Sequence, residues 1–250
     1  MPARYEVIAV EGLPEIRRGD ELAPLILEAA RRQDTPIQDR DLLVVSQKIV
    51  SKTEGRVVRL ADVAVSDEAR SVADEIGRDP RLVQVILGES RRIVRKAKDV
   101  LIVETRHGFV CANAGVDQSN VDADTACLLP EDSDRSAGAL RAHLRTLTGH
   151  ELAIIVADTF GRPWRNGLVN VAIGVAGMNP LTDYRGQTDP YGYDLRVTIL
   201  AVADELASAA ELVMGKVDKV PVAIIRGFTY EPADATAHDL VMDPARDLFR

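Results

Sequence analysis

Short runs rich in Val and Ile constrain this chain more than any other feature. They lie at Tyr5–Val10, Asp41–Ser46, Arg56–Leu60, Val100–Glu104, Gly108–Ala112, Leu152–Ala157 and Val220–Arg226, mostly bounded by Gly, Pro or Asp. Such runs between chain breakers read as strands. Helical periodicity fits Glu21–Arg32, Asp67–Gly77, Pro80–Leu87, Ser136–Leu147 and Ala201–Val213, with Asp67, Asp79 and Ser136 as N-terminal caps or first-turn acids. Strands and helices do not alternate cleanly, because Arg56–Leu60 and the pair within Val100–Ala112 look like hairpin pieces. The expected fold is therefore α+β, mixed sheets with packed helices, rather than a doubly wound sheet.

The 250 residues suit one large domain or two small subdomains, and a chain this long buries roughly 70–75% of its unfolded surface. The formal charge of −8, from 31 Lys plus Arg against 39 Asp plus Glu, argues against nonspecific nucleic-acid binding, which needs a basic face. The longest uncharged apolar stretches, such as Val197–Ala203, are far shorter than a membrane span, and Met1-Pro2-Ala3-Arg4-Tyr5 lacks a signal-peptide apolar region. A cytoplasmic protein is expected. Cys111 and Cys127 form no C-x-x-C arrangement and read as small core hydrophobes.

Gly161–Asp194 differs from the rest, with many Gly, Pro, Asn and Asp, the only Trp and no sustained period. It is expected to be a long functional loop. Two segments share a further pattern, an apolar strand delivering a carboxylate at its C-terminal end and then a polar loop. They are Gly115-Val116-Asp117-Gln118-Ser119-Asn120 and Ala157-Asp158-Thr159-Phe160-Gly161-Arg162-Pro163-Trp164-Arg165-Asn166-Gly167. A hard cation that works with phosphates takes one or two carboxylates and sometimes a hydroxyl, leaving its other positions to phosphate and water. Asp117, Asp158 and the Thr159 hydroxyl fit that description for Mg²⁺ or Mn²⁺. Arg162 and Arg165 add fixed positive charge beside the second carboxylate, suited to bidentate engagement of phosphate or carboxylate. The bland alternative has these Arg in surface ion pairs and Trp164 filling core space.

A third segment, Ser46-Gln47-Lys48-Ile49-Val50-Ser51-Lys52-Thr53-Glu54-Gly55, brings hydroxyls, a carboxamide and two lysines after a buried strand, which suggests nucleotide contact. No P-loop pattern exists, and Gly215-Lys216 lacks both the upstream Gly and the following hydroxyl. Gly12-Leu13-Pro14-Glu15-Ile16 alone signals a chain reversal. Asp122-Ala123-Asp124-Thr125 resembles a phosphatase-type box but follows a polar stretch where that motif needs an apolar strand. His107, His143, His150 and His238 show no metal-ligand spacing, and no G-x-S-x-G elbow is present.

Taken together, Leu13-Pro14-Glu15-Ile16, Val45–Lys52 with Glu54-Gly55-Arg56, Ala114–Asn120, Asp158–Gly167 and Asp189-Pro190-Tyr191-Gly192 closely resemble the coenzyme F420-0:L-glutamate ligase family, also called gamma-glutamyl ligase, over nearly the whole chain. The resemblance implies a GTP-dependent enzyme that attaches L-glutamate to the lactyl carboxylate of F420-0 and then adds further glutamates through gamma linkages. It implies a divalent cation, helpful potassium, and an intertwined homodimer of unusual α+β fold. Carried onto this sequence, it implies GTP contacts at Leu13, Pro14, Glu15, Ile16, Ser46, Gln47, Lys52 and Asn120, and metal ligation by Asp117, Asp158 and Thr159. Near Met214–Pro221, where a side-chain oxygen can help the metal in some relatives, this sequence presents Lys216, which as ammonium cannot coordinate. Some relatives continue past Asp247-Leu248-Phe249 into a flavin-binding domain, whereas this chain stops at Arg250, so no flavin chemistry is expected.

The implied chemistry runs through an acyl phosphate, because a free carboxylate does not form an amide with an amine in water. Asp158, Arg162 and Arg165 are the expected catalytic residues, with Lys48 and Lys52 helping to orient the anionic partners. Two alternatives stay open: the same nucleotide and metal site with a different carboxylate acceptor or amino acid, and a noncatalytic GTP-binding module.

Overall fold

The structure, a computed structural model, describes residues 4–247; the readings made at residues 1–3 and 248–250 lie outside them. In chain order the elements are β1 (Glu6–Ala9), α1 (Leu22–Arg32), β2 (Leu42–Ser46), α2 (Gln47–Thr53), β3 (Val57–Arg59), α3 (Asp67–Ile76), α4 (Pro80–Gly88), β4 (Ser90–Ala97), β5 (Val100–Thr105), β6 (Val110–Ala112), β7 (Thr125–Cys127), α5 (Ser133–Thr148), β8 (Ala153–Arg162), β9 (Arg165–Ala176), β10 (Thr182–Asp183), β11 (Ile199–Leu200), α6 (Val202–Met214) and β12 (Val222–Arg226).

The main sheet has the order β1-β12-β2-β8-β9, parallel only between β2 and β8. Its central strands are apolar over the stretches Leu42–Val45, Ala153–Ala157 and Val222–Ile225, because both faces are covered there. Leu43 and Val45 of β2, Ile154 and Val156 of β8 and Ile224 of β12 pack with α1 and α5. Leu42 and Val44, Ala153 and Ile155, and Ala223 and Ile225 pack on the other side with α6. This alternation follows from the two-residue period of a strand. A third core joins α3 and α4 to Leu101 and Val103 of β5. It sits over two small sheets, β3-β7 and β4-β5-β6. The expected α+β class with mixed sheets is what the chain adopts. Among the described residues, no helix is long and apolar enough to cross a membrane.

Several local expectations are corrected. Asp79 caps α4 as expected, accepting from Arg81 N at 2.8 Å. Asp67 is a first-turn acid, and Ser66 is the cap of α3. Helix α5 starts earlier than the Ser136 reading, because Asp132 accepts from Arg135 N at 2.9 Å and fixes the first turn there. The short helix α2 follows β2 directly and carries the carboxamide, both lysines and the Ser51 and Thr53 hydroxyls of the Ser46–Gly55 segment.

The largest correction concerns residues 161–194. Strand β8 does not end near Ala157; it continues to Arg162, turns through Pro163-Trp164 and returns as β9. Its Gly and Asn content had masked the strand period, since residues 163–168 of the arm are exposed and polar residues are tolerated there. Irregular backbone does occupy most of residues 177–198, broken by Thr182–Asp183 and by an antiparallel bridge between Thr188 and Asp194.

Candidate functional site

Strand β2 ends at Ser46 opposite Ala157, so the next residue of β8, Asp158, lies just beyond the covered part of the sheet. Helix α2 begins at that same edge and carries Lys48 in its first turn. Asp158 is thus a mid-strand residue paired with Val171, not a strand-end residue as expected. The register shifts between Val156 and Ala157 because β9 carries one extra residue at Ile173; such a bulge re-aims the side chains beside it.

Asp117 arrives from the opposite direction. The turn Asn113–Gly115 holds Asn113, Ala114 and Gly115 at positive φ, and the chain then bridges β7 through Asp117 N to Cys127 O at 3.0 Å and Cys127 N to Asp117 O at 2.8 Å. A Cβ on Gly115 would come within 2.7 Å of the Leu129 side chain, so only Gly lets the turn approach the core this closely. Ser119 donates to Asp117 Oδ1 from its N–H and to Oδ2 from its hydroxyl, both at 2.8 Å.

The two carboxylates sit in one electrostatic field. Burial pushes the Asp158 carboxyl up to about 6, and the nearby Asp117 charge adds to that rise against the opposing pull of the Thr159 amide, Lys48 and Lys216. For Asp117 burial also pushes upward, but Lys48 and the two Ser119 bonds outweigh it and hold the carboxyl below its ordinary value. The Lys48 ammonium is 2.6 Å from Asp117 Oδ2. Cys111, next to Asp158, is raised to about 12 by burial first and the Asp158 charge second, and burial raises Cys127 to about 11. Thiols held that high are not nucleophiles, in keeping with their reading as core residues.

Hard oxygen donors under mutual repulsion suit a hard divalent cation. Among the described residues no group of three or more His, Cys, Asp or Glu stands together as a cage. An ion held by Asp117 and Asp158 would leave most of its positions to water and phosphate, the usual arrangement for Mg²⁺. The Thr159 hydroxyl has partners of its own. Successive strand residues face opposite sides of a sheet, and Thr159 points toward its cross-strand neighbour Asn170, donating to Asn170 Oδ1 at 2.7 Å. Lys216 Nζ donates to Thr159 Oγ1 at 2.5 Å and to Asn170 Oδ1 at 3.3 Å, and pairs with Glu211 Oε1 at 2.8 Å.

The expected nucleotide residues form a second group. Lys52, one turn beyond Lys48 on α2, pairs with Glu15 at 2.6 Å, which brings the Leu13–Ile16 segment to that helix. Ile16 is buried and Leu13 packs against the same core. Gln47, 1% exposed, accepts from Ser51 Oγ at 2.9 Å, while its Nε2 has no partner. A buried amide without an acceptor is costly, so Gln47 Nε2 is a donor open to an oxygen-bearing group. Ser46 caps the junction of β2 and α2 as backbone, and Asn120 is exposed at φ 55 three residues past Asp117. The fields of Lys48, Lys52 and Asp117 all reach Cys127, so this group and the carboxylates are neighbours.

Arg162 and Arg165 pair across the tip of the β8–β9 arm, four and seven residues along the chain from Asp158. Four residues of strand span about 13 Å, so these cations stand at the end of the arm, not against the carboxylates. Arg162 donates to Asn166 O at 3.0 Å and closes the turn. Trp164 is 79% exposed, which overturns the reading that it fills core space. Asn170 and Glu211 were not anticipated. Asn170 carried a visible signal, a polar residue inside the alternating Val169-Asn170-Val171 stretch of a buried strand; Glu211 carried none.

A family model described as F420-0:Gamma-glutamyl ligase matches residues 12–227. The chain is 47% identical over 247 residues to the coenzyme F420:L-glutamate ligase of Methanothermobacter thermautotrophicus, covering 98% of each chain. It is 44% identical over 252 residues to the protein of that name from Methanopyrus kandleri, covering 99% of this chain and 97% of the relative. The Methanocaldococcus jannaschii protein of that name is 41% identical over 250 residues, with 99% and 97% covered.

Proposed function

This chain belongs to the F420-0:gamma-glutamyl ligase family, and from that premise we propose that it joins L-glutamate to coenzyme F420-0, with GTP as the phosphoryl donor. The observation that carries the reading is the convergence of Asp117, Asp158 and Lys48 beside the Glu15–Lys52 pair. It joins two carboxylates able to hold a cation to a helix edge bearing two ammonium groups.

In this reading an oxygen of the F420-0 carboxylate attacks the γ-phosphorus of GTP, the bond to the β-phosphate oxygen breaks, and GDP leaves. The glutamate amine then attacks the acyl carbon, the carbon–oxygen bond to phosphate breaks, and the amine gives up its proton to solvent. Further cycles add gamma-linked glutamates. Asp117 and Asp158 would hold a Mg²⁺ or Mn²⁺ ion, which supplies charge neutralisation at the phosphate oxygens. Lys52, Glu15, Leu13, Pro14, Ile16, Ser46, Gln47 and Asn120 would bind and orient the nucleotide, the orphan Gln47 amide donating to one of its oxygens. Lys48 would exchange its Asp117 partner for a phosphate oxygen. Arg162 and Arg165, on an arm long enough to reach over a bound substrate, would hold the anionic acceptor and glutamate. A homodimer, with the exposed arm as part of its contact, and a supporting potassium ion complete the proposal.

The test is a mass-spectrometric assay of the purified chain with F420-0, GTP, glutamate and Mg²⁺. Successive glutamyl additions matched by GDP and phosphate are the expected result. GTP binding without phosphate release would make the chain a noncatalytic module, and turnover only with another carboxylate or amino acid would reassign the acceptor.

A further inference from the structure

An ammonium group has three N–H donors, and a lysine whose three donors all meet oxygen is held as a fixed point charge. Lys216 is such a group. Its Nζ meets Thr159 Oγ1 at 2.5 Å, Asn170 Oδ1 at 3.3 Å and Glu211 Oε1 at 2.8 Å. These oxygens come from three elements, β8, β9 and the last turn of α6, so the cluster is built by the fold and not by a local turn. Asn170 is buried, and its backbone oxygen is engaged by Ser208 Oγ at 2.8 Å, which fixes the strand on that face.

The approach of Lys216 is equally determined. Helix α6 ends at Met214, and Gly215 follows at φ 60 and ψ −166, a conformation open to glycine. A Cβ at Gly215 would fall 2.4 Å from Asp218 Oδ2. The chain thus turns sharply at the helix end and sends the next side chain back over Glu211 toward β8.

A hydroxyl, an amide oxygen and a carboxylate gathered around one positive centre are the donor set a hard cation takes. We propose that the Lys216 ammonium is a built-in cation that occupies the oxygen cluster of Thr159, Asn170 and Glu211, so that the site takes a single divalent ion, held on the other face of the strand by Asp117 and Asp158. The inference rests on the reading of Asp117 and Asp158 as ion ligands. A divalent ion cannot share those three oxygens with the ammonium, since the donors already point at a positive charge and like charges at contact distance repel strongly. The Lys216 charge also reaches Asp158, so it contributes to the positive field of the reaction site without occupying it.

The experiment counts ions directly. The purified wild-type chain and the variants Lys216→Gln and Lys216→Met are titrated with Mn²⁺ alone, and the free ion is followed by electron paramagnetic resonance. Wild type is expected to bind one Mn²⁺ per chain and each folded variant two, because either change leaves three oxygen donors without their cation. Circular dichroism shows which variants fold, and one folded variant suffices for the comparison. A wild-type count other than one, or folded variants that stay at one, overturns the inference. Glutamyl transfer by the wild-type chain, assayed in parallel, separates the two readings: turnover with a count of two sinks the role of Lys216 and leaves the ligase reading intact.

Discussion

The Lys48 ammonium stands 2.6 Å from Asp117 Oδ2 and 2.5 Å from the Ser119 hydroxyl, which itself donates to the same carboxylate oxygen. Asp117 is therefore already neutralised by a protein cation. A metal ion that binds Asp117 must displace this ammonium, so in the proposed reading Lys48 opposes ion binding and, once displaced, holds a phosphate oxygen. Lys48→Met separates the two effects. Solvent at the half-exposed Asp117 limits a pair of this kind to about 1 kcal/mol. Mn²⁺ affinity is expected to rise about fivefold while turnover falls. Isothermal titration and GDP release measured on the same preparation check both signs, and a loss of both would assign Lys48 a purely structural role.

Asp158→Asn keeps the shape of the side chain and removes its charge. If Asp158 binds the ion, kcat falls by at least about a hundredfold at ordinary Mg²⁺, about 3 kcal/mol of lost stabilisation. Steady-state GDP release together with a near-normal circular dichroism spectrum is the readout. Near-normal turnover would remove Asp158 from the reaction.

The same residue makes a prediction in the metal-free protein. Burial raises the folded-state carboxyl to about 6, above the unfolded value of about 3.9. An acid whose folded value is raised stabilises the fold in its protonated form. That contribution is complete below the unfolded value and is lost as pH rises through the folded one. With chelator present, Asp158→Asn is expected to be more stable than wild type by about 1–3 kcal/mol at pH 8. The difference should shrink toward pH 4. Urea denaturation at the two pH values measures it, and a pH-independent difference would refute the raised carboxyl.

Arg162 and Arg165 share the arm but not the same job. Arg165 is exposed, so Arg165→Ala should leave thermal stability unchanged and raise the KM for F420-0 or glutamate about tenfold, the loss of one charge-assisted contact. Arg162 closes the turn through Asn166 O, so Arg162→Ala should also loosen the arm. Increased protease cleavage at residues 163–167 would report that loosening, and equal behaviour of the two variants would count against the distinction.

Much of the main sheet was legible because Leu42–Val45, Ala153–Ala157 and Val222–Ile225 are buried on both faces and therefore form continuous apolar runs. The β8–β9 arm was not, since its outer half is solvated and Gly161, Asn166 and Gly167 break the period on which strand reading depends. Asp117 and Asp158 stood out as carboxylates next to apolar strands. Their electrostatic coupling is tertiary, made by a bulge at Ile173 and a bridge from Asp117 to Cys127. Thr159 illustrates the limit: its place next to Asp158 in the sequence gives no sign that its hydroxyl meets Asn170 and Lys216, an arrangement made by the pairing of β8 with β9.

Gly115→Ala tests whether the Asp117 carboxylate depends on the turn that delivers it. At φ 69 an alanine is strained by roughly 1–2 kcal/mol. The new methyl group would also sit 2.7 Å from both Cγ and Cδ2 of the buried Leu129. Overpacking of this kind typically costs about 1–3 kcal/mol, and Leu129 can yield only by disturbing the core that α1 and α5 share with the sheet. The variant is expected to lose about 2–4 kcal/mol of stability, a Tm drop of roughly 5–15 °C. Because Asp117 lies two residues further on, relaxation of the turn moves its carboxylate away from Asp158, and Mn²⁺ affinity should fall even at temperatures where the fold persists. Asp158→Asn shows the opposite combination, weaker ion binding with a more stable metal-free fold. Calorimetry and Mn²⁺ titration on both variants therefore separate damage to the scaffold from removal of a ligand, and a Gly115→Ala chain with unchanged Mn²⁺ affinity would show that Asp117 does not need this turn to reach the ion.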